Sequence, residues 1–283
     1  MSLIKFHNFY FRYKENKIYA LNNINLEIED NKFILLAGET GSGKTSLIRC
    51  MNGLIPQFYS GYYKGYVEVN GLDTTKIPIS DLSTFVGIVF QNPENQLVSM
   101  NVEHEIVFGL ENLGVPKNQI KQRIDDVVKL TGIESILDKA PFEISGGEQQ
   151  RVAIASILAL NPNILILDEP TSNLDPFFAK KILDLLHEIY QKQKLTIIIA
   201  EHRMDLLLPL VDEIILMKDG KIIEHDRKKK VVNNTNFKQL DINRPFIYSV
   251  FNQLKSKNLL KEDIPVSLTE ALNLMKKINY NGK

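Results

Sequence analysis

The sequence predicts an α/β fold in which buried strands alternate with amphipathic helices. Apolar runs typical of buried strands recur at 33–37, 85–90, 164–167 and 195–200, and helical apolar spacing lies between them. Directly after the first run come a glycine-rich segment and then one helix face, namely Gly38-Glu39-Thr40-Gly41-Ser42-Gly43-Lys44-Thr45 followed by Leu47, Ile48, Met51, Leu54 and Ile55. A strand, a glycine loop and a helix in this order form the context that a phosphate-binding loop requires.

The chemistry of this glycine loop indicates a bound nucleoside triphosphate. Its glycines allow backbone N–H groups to turn towards a polyphosphate, and the helix N-terminus adds a favourable dipole. In loops of this type the lysine, here Lys44, reaches the outer phosphates and the hydroxyl, here Thr45, ligates magnesium. The alternative is a chance glycine-rich turn, but the full G-x-x-x-x-G-K-T spacing in these flanks favours the phosphate loop.

Length, charge balance and cysteine count give no support to a nucleic-acid-binding, membrane-spanning or disulfide-rich protein. The 283 residues suit one large α/β domain, alone or with a small appendage, and Lys plus Arg equals Asp plus Glu at 34 each. No global charge therefore favours nucleic acid or an anionic membrane surface, and we expect no nucleic-acid partner. The single cysteine, Cys50, fits a reducing compartment, and no apolar run approaches the roughly 18 residues of a membrane span. We expect a protein of the cytoplasm or of a membrane's inner face.

The first 70 residues predict an antiparallel sheet beside the nucleotide-binding core. Residues 4–30 are strand-like, alternation is clearest at 24–29 and resumes at 66–69, and Asn70-Gly71 is a strong hairpin turn signal. An aromatic cluster in this region, Tyr10, Phe11 and Tyr13, has two interpretations. It either packs within the sheet or supplies a ring that stacks on adenine.

The middle of the chain predicts a helical segment. The polar run 91–96 follows the strand at 85–90 directly, which places it at the carboxyl edge of the sheet, where open α/β folds bind ligands. Residues 102–160 then have helical character, with an apolar stripe formed by Ile120, Ile124, Val127 and Val128.

Ser145-Gly146-Gly147-Glu148 opens the last helix of this segment. A capping box explains Ser145 and Glu148 without any ligand. Two glycines in a first turn are nevertheless poor helix formers, which favours a close backbone approach to something else.

Two further strand ends carry candidate catalytic groups. The strand 164–167 ends in Asp168-Glu169, and adjacent carboxylates there are costly unless a cation or a reacting group uses them. In a phosphate-loop protein Asp168 would hold magnesium and Glu169 would activate a water, whereas the alternative is two solvated carboxylates in a turn. The strand 195–200 ends in Glu201-His202, and His202 is the one histidine placed at such a strand end.

The C-terminal part predicts a hairpin, a linker and two helices. Residues 214–223 complete the core, the basic run 227–230 is typical of a solvated surface, and Asn233-Asn234-Thr235-Asn236 is typical of a linker. The first helix has the stripe Ile247, Val250, Phe251 and Leu254, and the second is capped by Ser267-x-x-Glu270 with the stripe Leu268, Leu272 and Met275. Helices this short must pack on the core or on a partner.

Over residues 1 to 230 these segments resemble the ATP-binding cassette (ABC) family. The matching motifs are Walker A at 38–45, the Q-loop at Gln91, the signature motif at 144–148, Walker B at 164–168, the D-loop at 172–175 and the switch histidine at His202. The resemblance implies a RecA-like P-loop NTPase core with an antiparallel β subdomain, an α-helical signature subdomain at about 92–160 and a small helical C-terminal extension. The domains would be 1–232 and 233–283. The signature carries Ile144 where Leu is common and Glu148 where Gln is common.

Site roles follow from the same resemblance. Tyr13 would stack on adenine, and the triphosphate would be held by Gly38, Glu39, Thr40, Gly41, Ser42, Gly43, Lys44, Thr45 and Ser46. Thr45, Gln91 and Asp168 would bind Mg²⁺, and Glu169 would be the general base, assisted by His202 and Gln91. Ser145, Gly146, Gly147 and Glu148 of one subunit would close on ATP held by a second, with Asp175 in the D-loop.

A narrower resemblance is to the energising ATPases of energy-coupling factor (ECF) transporters, which import vitamins and transition-metal ions. It comes from 90–97, Phe108-Gly109-Leu110-Glu111-Asn112 and the segment from Pro245-Phe246 to Ala271. The family pairs two ATPases, identical or related, with an EcfT-like membrane scaffold and a substrate-capturing S component. It implies a peripheral protein on the cytoplasmic face of the cell membrane, an ATPase coupled to transport, and a dimerisation role for the extension.

Two alternatives remain at the level of the sequence. One is the ATPase of an importer that uses a binding protein, and the other is a soluble cassette ATPase of DNA repair or translation. The second lacks support because neither a long coiled-coil insertion nor a second cassette is present. We also expect Glu94, Asn95 and Gln96 to grip a helix of the membrane scaffold.

Overall fold

The computed structural model describes residues 2–240, 242 and 244–281. The strands are β1 (Ser2–Tyr13), β2 (Leu21–Glu29), β3 (Phe33–Gly38), β4 (Gly61–Val69), β5 (Leu72–Asp73), β6 (Val86–Val89), β7 (Ile164–Asp168), β8 (Thr196–Ala200), β9 (Glu213–Lys218) and β10 (Lys221–Arg227). The helices are α1 (Lys44–Met51), α2 (Leu54–Gln57), α3 (Ile79–Leu82), α4 (Val102–Asn112), α5 (Lys117–Thr131), α6 (Gly146–Ala159), α7 (Pro176–Gln193), α8 (Met204–Leu207), α9 (Lys228–Asn233), α10 (Thr235–Gln239), α11 (Phe246–Ser256) and α12 (Leu268–Asn281). Short 3₁₀ turns lie at Pro93–Asn95, Glu134–Ile136 and Pro141–Glu143.

The core is a six-stranded sheet in the order β10-β9-β3-β8-β7-β6. Its strands run parallel except β10, which pairs antiparallel with β9. Every residue of β3, β7 and β8 is buried, as expected for a parallel sheet covered on both faces. The carboxyl ends of β3, β6, β7 and β8 therefore meet at one edge of the sheet, and the candidate site lies there.

A second sheet, in the order β2-β1-β4-β5, confirms the predicted antiparallel subdomain. Asn70 and Gly71 join β4 to β5, and their φ angles of 52° and 76° suit a tight hairpin turn. The buried face of this sheet packs with α1 and with one face of β3 in a shared apolar cluster. The sheet is thereby fixed beside the loop that follows β3.

The predicted helical segment consists of α4, α5 and α6, separated by a turn and two 3₁₀ turns. On α5, Ile124, Val127 and Val128 are buried and Ile120 is half-buried, as the apolar stripe predicts. These helices share the larger apolar cluster with α7 and with one face of β7 and β8.

The linker predicted at 233–236 is wrong. Helix α9 runs to Asn233, and α10 begins at Thr235. The asparagine side chains make tertiary hydrogen bonds, since Asn233 Oδ1 accepts from Ile264 N at 2.9 Å and Asn234 Nδ2 donates to Glu224 Oε1 at 2.7 Å. Composition indicated a loop, but these tertiary partners order the segment.

The two C-terminal helices pack on the core, as one of the two predicted alternatives requires. Phe251 of α11 is buried, and Asp205 Oδ1 in α8 accepts from Phe246 N at 2.7 Å, at the first residue of α11. The predicted stripe of α12 does not face the core, because Leu268, Leu272 and Met275 are 63%, 54% and 41% exposed, and for this face only the other predicted alternative, a partner, stays open. The face towards the core instead carries Ala271 and Leu274, and the small Ala271 permits close approach.

Candidate active site

The glycine loop forms one wall of a cavity of about 400 Å³. Gly41 and Gly43 have φ angles of 79° and 103°, and an added Cβ on Gly43 would lie 2.5 Å from Ala20 O. The loop therefore needs glycine both for its backbone conformation and for its contact with the β1–β2 connection. Lining residues are Tyr13, Asn16, Ile18, Tyr19, Ala20, Thr40, Gly41, Gly43, Lys44, Thr45, Ser46 and Glu169.

Three loop residues predicted to bind ATP do not line this cavity, namely Gly38, Glu39 and Ser42. The Glu39 carboxylate faces Lys218 Nζ at 3.8 Å. Ser42 Oγ is buried and has no hydrogen-bond partner among the described residues. A buried hydroxyl of this kind suits an added acceptor such as a phosphate oxygen.

Lys44 is 6% exposed, and its ammonium lies over the loop. Lys44 Nζ donates to Gly38 O at 2.9 Å and to Glu39 O at 3.1 Å. Burial lowers the Lys44 pKa, and the nearby carboxylates of Glu169 and Asp168 oppose this effect. The Lys44 ammonium thus places a positive charge over the loop, where two backbone carbonyls accept its hydrogen bonds. Contact between this ammonium and the outer phosphates remains a prediction.

Among the aromatic cluster, Phe11 packs in the sheet and Tyr13 lines the cavity. Tyr13 Oη lies 3.1 Å from Ser46 Oγ, and its ring is edge-on to Phe11 at 4.7 Å. Ile18 and Tyr19 also line the cavity, which the sequence interpretation missed. The signal that could have found them is two consecutive large apolar residues in a connection that is otherwise polar.

Asp168 is 7% exposed at the end of β7. Burial raises the Asp168 pKa, while a hydrogen bond from Thr45 and the charges of Arg49 and Lys44 lower it. A buried carboxylate beside a hydroxyl fits Mg²⁺, which prefers oxygen ligands. No group of three or more His, Cys, Asp or Glu side chains suited to a metal occurs in the described part of the chain.

Glu169 lies between Gln91 and His202, which brings together the three predicted catalytic residues. Glu169 Oε2 accepts from Gln91 Nε2 at 3.1 Å, and Glu169 Oε1 lies 3.1 Å from His202 Nε2. Glu169 has a φ of 50°, and its N–H donates to Ala200 O at 2.8 Å. A non-glycine residue held in this conformation is typical of a functional site.

The signature residues occupy the N-terminus of α6. Ser145 Oγ accepts from Glu148 N, and Glu148 Oε2 accepts from Ser145 N at 2.8 Å and from Ser145 Oγ at 2.7 Å. These bonds lower the Glu148 pKa, with the Ser145 hydroxyl as the largest cause. An added Cβ on Gly146 or Gly147 would meet only ordinary contacts at 3.9 and 3.4 Å. Steric contacts within the described chain therefore do not explain the two glycines.

Asp175 has a structural function that the sequence interpretation did not predict. Its Oδ1 accepts from Phe177 N at 2.8 Å and from Phe178 N at 3.0 Å, which caps α7. The preceding loop contacts two other loops of the site, since Asn173 Nδ2 donates to Asn92 Oδ1 at 3.0 Å and Arg203 Nη2 donates to Leu174 O at 2.6 Å.

The segment expected to grip a membrane partner is only partly available for contact. Glu94 and Asn95 are exposed. Gln96 turns inward instead, because its Oε1 accepts from Phe90 N and its Nε2 donates to Ile88 O, both at 3.1 Å. Gln96 therefore fixes the exit of β6. Among the described residues no helix has the length and apolar character of a membrane span.

The fold and this site define a P-loop ATPase of the cassette class. The family described as ABC transporter matches residues 21–172. An ABC transporter ATP-binding protein of Pyrococcus horikoshii is 37% identical over 284 residues, which cover all of both chains. One of Caldanaerobacter subterraneus is 40% identical over 270 residues, which are 95% of this chain and 47% of the relative, so the chain spans about half of that protein.

Solved structures agree with the sequence relatives. The cbiO1 protein of Clostridium perfringens, part of the ABC transporter complex cbiONQ, aligns with a TM-score of 0.75 and 32% identity over 90% of this chain and 95% of cbiO1. A dimeric ATP-binding cassette bound to ADP and Pi in a post-hydrolysis state aligns with a TM-score of 0.68 and 27% identity over 80% of this chain and 98% of that chain.

The chain belongs to the ATP-binding proteins of ABC transporters. This family binds ATP and couples its hydrolysis to transport. The predicted α/β fold and the predicted enzyme class are confirmed.

Proposed function

We propose that this chain is the ATPase subunit of an ECF-type importer that takes up a vitamin or a transition-metal ion. The supporting observation is the similarity to cbiO1, which covers nine-tenths of this chain. The partners in this proposal are a second ABC ATPase, an EcfT-like scaffold and an S component. The chain would lie on the cytoplasmic face of the cell membrane, with residues 1–232 as the ATPase domain and 233–283 as a dimerisation extension.

In this proposal ATP lies in the cavity over the glycine loop. Tyr13 stacks on the adenine, and Lys44 exchanges a carbonyl partner for an outer phosphate. Ser145 and the backbone N–H groups of Gly146 and Gly147 of the partner subunit close on the γ-phosphate from the other side. The glycines support this step, because contacts within the chain leave their identity unexplained.

Glu169 acts as the general base in the proposed reaction. A water beside Glu169 loses a proton to its carboxylate as the water oxygen attacks the γ-phosphorus. The bond from the γ-phosphorus to the β,γ-bridging oxygen breaks and ADP leaves with that oxygen, while His202 contacts the γ-phosphate. The hydrogen bonds from Gln91 and His202 hold both oxygens of Glu169 before ATP arrives. A positioned base typically contributes about 10²- to 10⁴-fold to the rate.

Thr45, Asp168 and Gln91 are the residues that would hold Mg²⁺. When bound, the ion neutralises phosphate charge and orients the triphosphate. Asp168 and Thr45 support this assignment because their hydrogen bond joins a buried carboxylate to a hydroxyl at the edge of the cavity.

Replacing Glu169 by Gln tests the catalytic assignment. We expect the ATPase rate of Glu169→Gln to fall by about 10²-fold or more, because an amide cannot accept the proton. ATP-dependent dimerisation, measured by light scattering, should persist, since the amide keeps the shape of the site. Glu111→Gln, at an exposed position on α4, is the matched control and should retain wild-type activity. Wild-type hydrolysis in Glu169→Gln would contradict the assignment.

Co-purification from native membranes tests the ECF type. We expect mass spectrometry to identify one scaffold protein and one small substrate-capturing membrane protein beside the ATPase. A pair of permease subunits with an external binding protein would instead support the alternative importer. Recovery only with nucleic acid or ribosomes would support a soluble cassette ATPase. Glu94→Lys should weaken the membrane complex, and an unchanged yield would remove Glu94 from the proposed contact.

A further inference from the structure

A buried carboxylate lies next to the catalytic residues without a charged partner. Glu201 directly follows β8 and is 3% exposed. No Lys, Arg or His side chain of the described residues forms an ion pair with it. An ionised carboxylate in this position is costly unless hydrogen-bond donors surround it.

The donors around Glu201 come from two different loops. Glu201 Oε1 accepts from Thr171 N at 3.0 Å and forms a short hydrogen bond with the Thr171 hydroxyl. Glu201 Oε2 accepts from His202 N at 2.7 Å and from Arg203 N at 3.3 Å. Each oxygen thus takes two donors, and the four bonds compensate the buried charge.

These two loops carry the catalytic pair. Thr171 lies two residues after Glu169, whose φ of 50° is unusual for a residue with a side chain. His202 follows Glu201 directly, and its ring contacts Glu169 at 3.1 Å. The carboxylate therefore spans the exits of β7 and β8 at the point where the Glu169–His202 contact forms.

If Glu201 served only to join β7 to β8, its side chain would not need to be an ionised carboxylate. The β7–β8 ladder already pairs Asp168 with Ala200 at its last position. A glutamine would offer one acceptor oxygen, and its amide nitrogen would face the N–H groups of the other loop. Only a carboxylate satisfies donors from both loops at once.

We propose that Glu201 is a positioning residue that holds Glu169 and His202 in register for ATP hydrolysis. The proposal rests on the proposed function, in which those two residues act on the γ-phosphate. Glu201 itself lines neither the nucleotide cavity nor the glycine loop. Its loss should therefore affect the chemical step and leave nucleotide binding unchanged.

The expected effect separates kcat from KM. Because a displacement of about 1 Å in a catalytic group costs about 10²-fold, Glu201→Gln should lower kcat by about tenfold or more. KM for ATP and the affinity for a fluorescent ATP analogue should stay within about twofold of wild type, since the glycine loop is untouched.

Thr171 supplies a second variant that leaves Glu201 in place. Thr171→Val keeps the side-chain shape, removes the hydroxyl donor and should lower kcat less than Glu201→Gln does. Thr171→Ser keeps the donor and should restore kcat to near the wild-type value. This pair keeps the proposal testable if Glu201→Gln folds poorly.

Glu213→Gln is the control for a merely structural carboxylate. Glu213 contacts Lys32 and His225 at the start of β9, on the opposite edge of the core sheet. It should lower the melting temperature without lowering kcat. The proposal is overturned if Glu201→Gln is fully active, if its KM rises as kcat falls, or if Thr171→Ser loses as much kcat as Thr171→Val. Hydrolysis by Glu169→Gln at the wild-type rate would instead overturn the proposed function itself.

Discussion

Asp168 shows how a single residue can favour function over stability. Its carboxylate is buried at the end of β7, and burial raises its pKa above the ordinary value. Well below the ordinary Asp pKa of about 3.9 the carboxyl is protonated in both the folded and the unfolded state, so it does not affect the free energy of unfolding. As pH rises from that value through the raised folded-state pKa, the unfolded chain releases the proton more readily than the folded protein, and the protein becomes less stable.

We therefore expect Asp168→Asn to raise the melting temperature of the nucleotide-free protein at pH 7. Each kcal/mol corresponds to about 2–4 °C for a protein of about this size. The gain should become smaller as pH falls from 7 towards 4, because the wild-type carboxyl becomes increasingly protonated. Thermal melting between pH 4 and 8 measures this, and Mg²⁺-dependent ATP binding should be lost in the same variant. A gain that is equal at both pH values would show that charge is not its cause.

Glu148 holds the hydroxyl of Ser145, the serine of the motif at 144–148, in a hydrogen bond. Its Oε2 accepts the Ser145 hydroxyl at 2.7 Å, so this donor is already used in the free chain. Glu148→Gln keeps an acceptor for Ser145 N and removes a negative charge. We expect ATP-dependent dimerisation to tighten, by up to about tenfold if one charge-assisted bond of about 1.4 kcal/mol is released. Sedimentation with and without ATP measures this, and tightening without ATP would point to a different cause.

At the scale of elements, α11 contains a buried hydroxyl, that of Tyr248, which forms no hydrogen bond with the described residues. Tyr248 is buried against Phe237, with ring centroids 5.0 Å apart, and its hydroxyl has no hydrogen-bond partner among the described residues. Tyr248→Phe should therefore be neutral or stabilising by up to about 1–3 kcal/mol. Phe251→Ala on the same helix should cost about 3–5 kcal/mol, whereas Phe246→Ala, 75% exposed, should cost little. Urea unfolding compares the three variants, and a clear loss in Tyr248→Phe would contradict the expectation.

Elements that depend on local pattern were predictable, and those that depend on tertiary partners were not. Apolar runs identify β3, β6, β7 and β8, and parallel strands bring the polar residues that follow them to one edge, so Gln91, Glu169 and His202 could be placed there in advance. The catalytic roles expected of Gln91 and His202 came from the family resemblance. Asn233 looks like a linker residue because its partner, Ile264, is 31 residues away. Gln96 differs, because its partners Phe90 and Ile88 are only 6 and 8 residues away, and a polar residue after a strand can bond back to that strand or face solvent without a difference in sequence pattern.

At the scale of the whole molecule, the proposed two-subunit site predicts complementation between inactive chains. Lys44→Ala removes the phosphate ligand of one half-site, and Ser145→Arg blocks the other half. Each variant alone should be inactive. In an equal mixture half of the dimers are mixed and each contains one intact site of two, so about a quarter of the wild-type sites return.

ATPase titration of the mixture measures this recovery. The control mixes Lys44→Ala with the double variant Lys44→Ala/Ser145→Arg, which offers no intact site and should remain inactive. If the second ATPase is a copy of this chain, recovery in the control, or none in the complementing mixture, would contradict a site shared between subunits.

The hydrogen bond from Phe246 N to Asp205 connects the C-terminal region to the segment that follows His202. Asp205 lies in α8, three residues after His202, so α11 receives a partner for its first N–H group from the helix that directly follows the His202 loop. If a molecule that shifts α11 changes the nucleotide affinity through this bond, linkage requires that nucleotide changes the affinity for that molecule by the same factor.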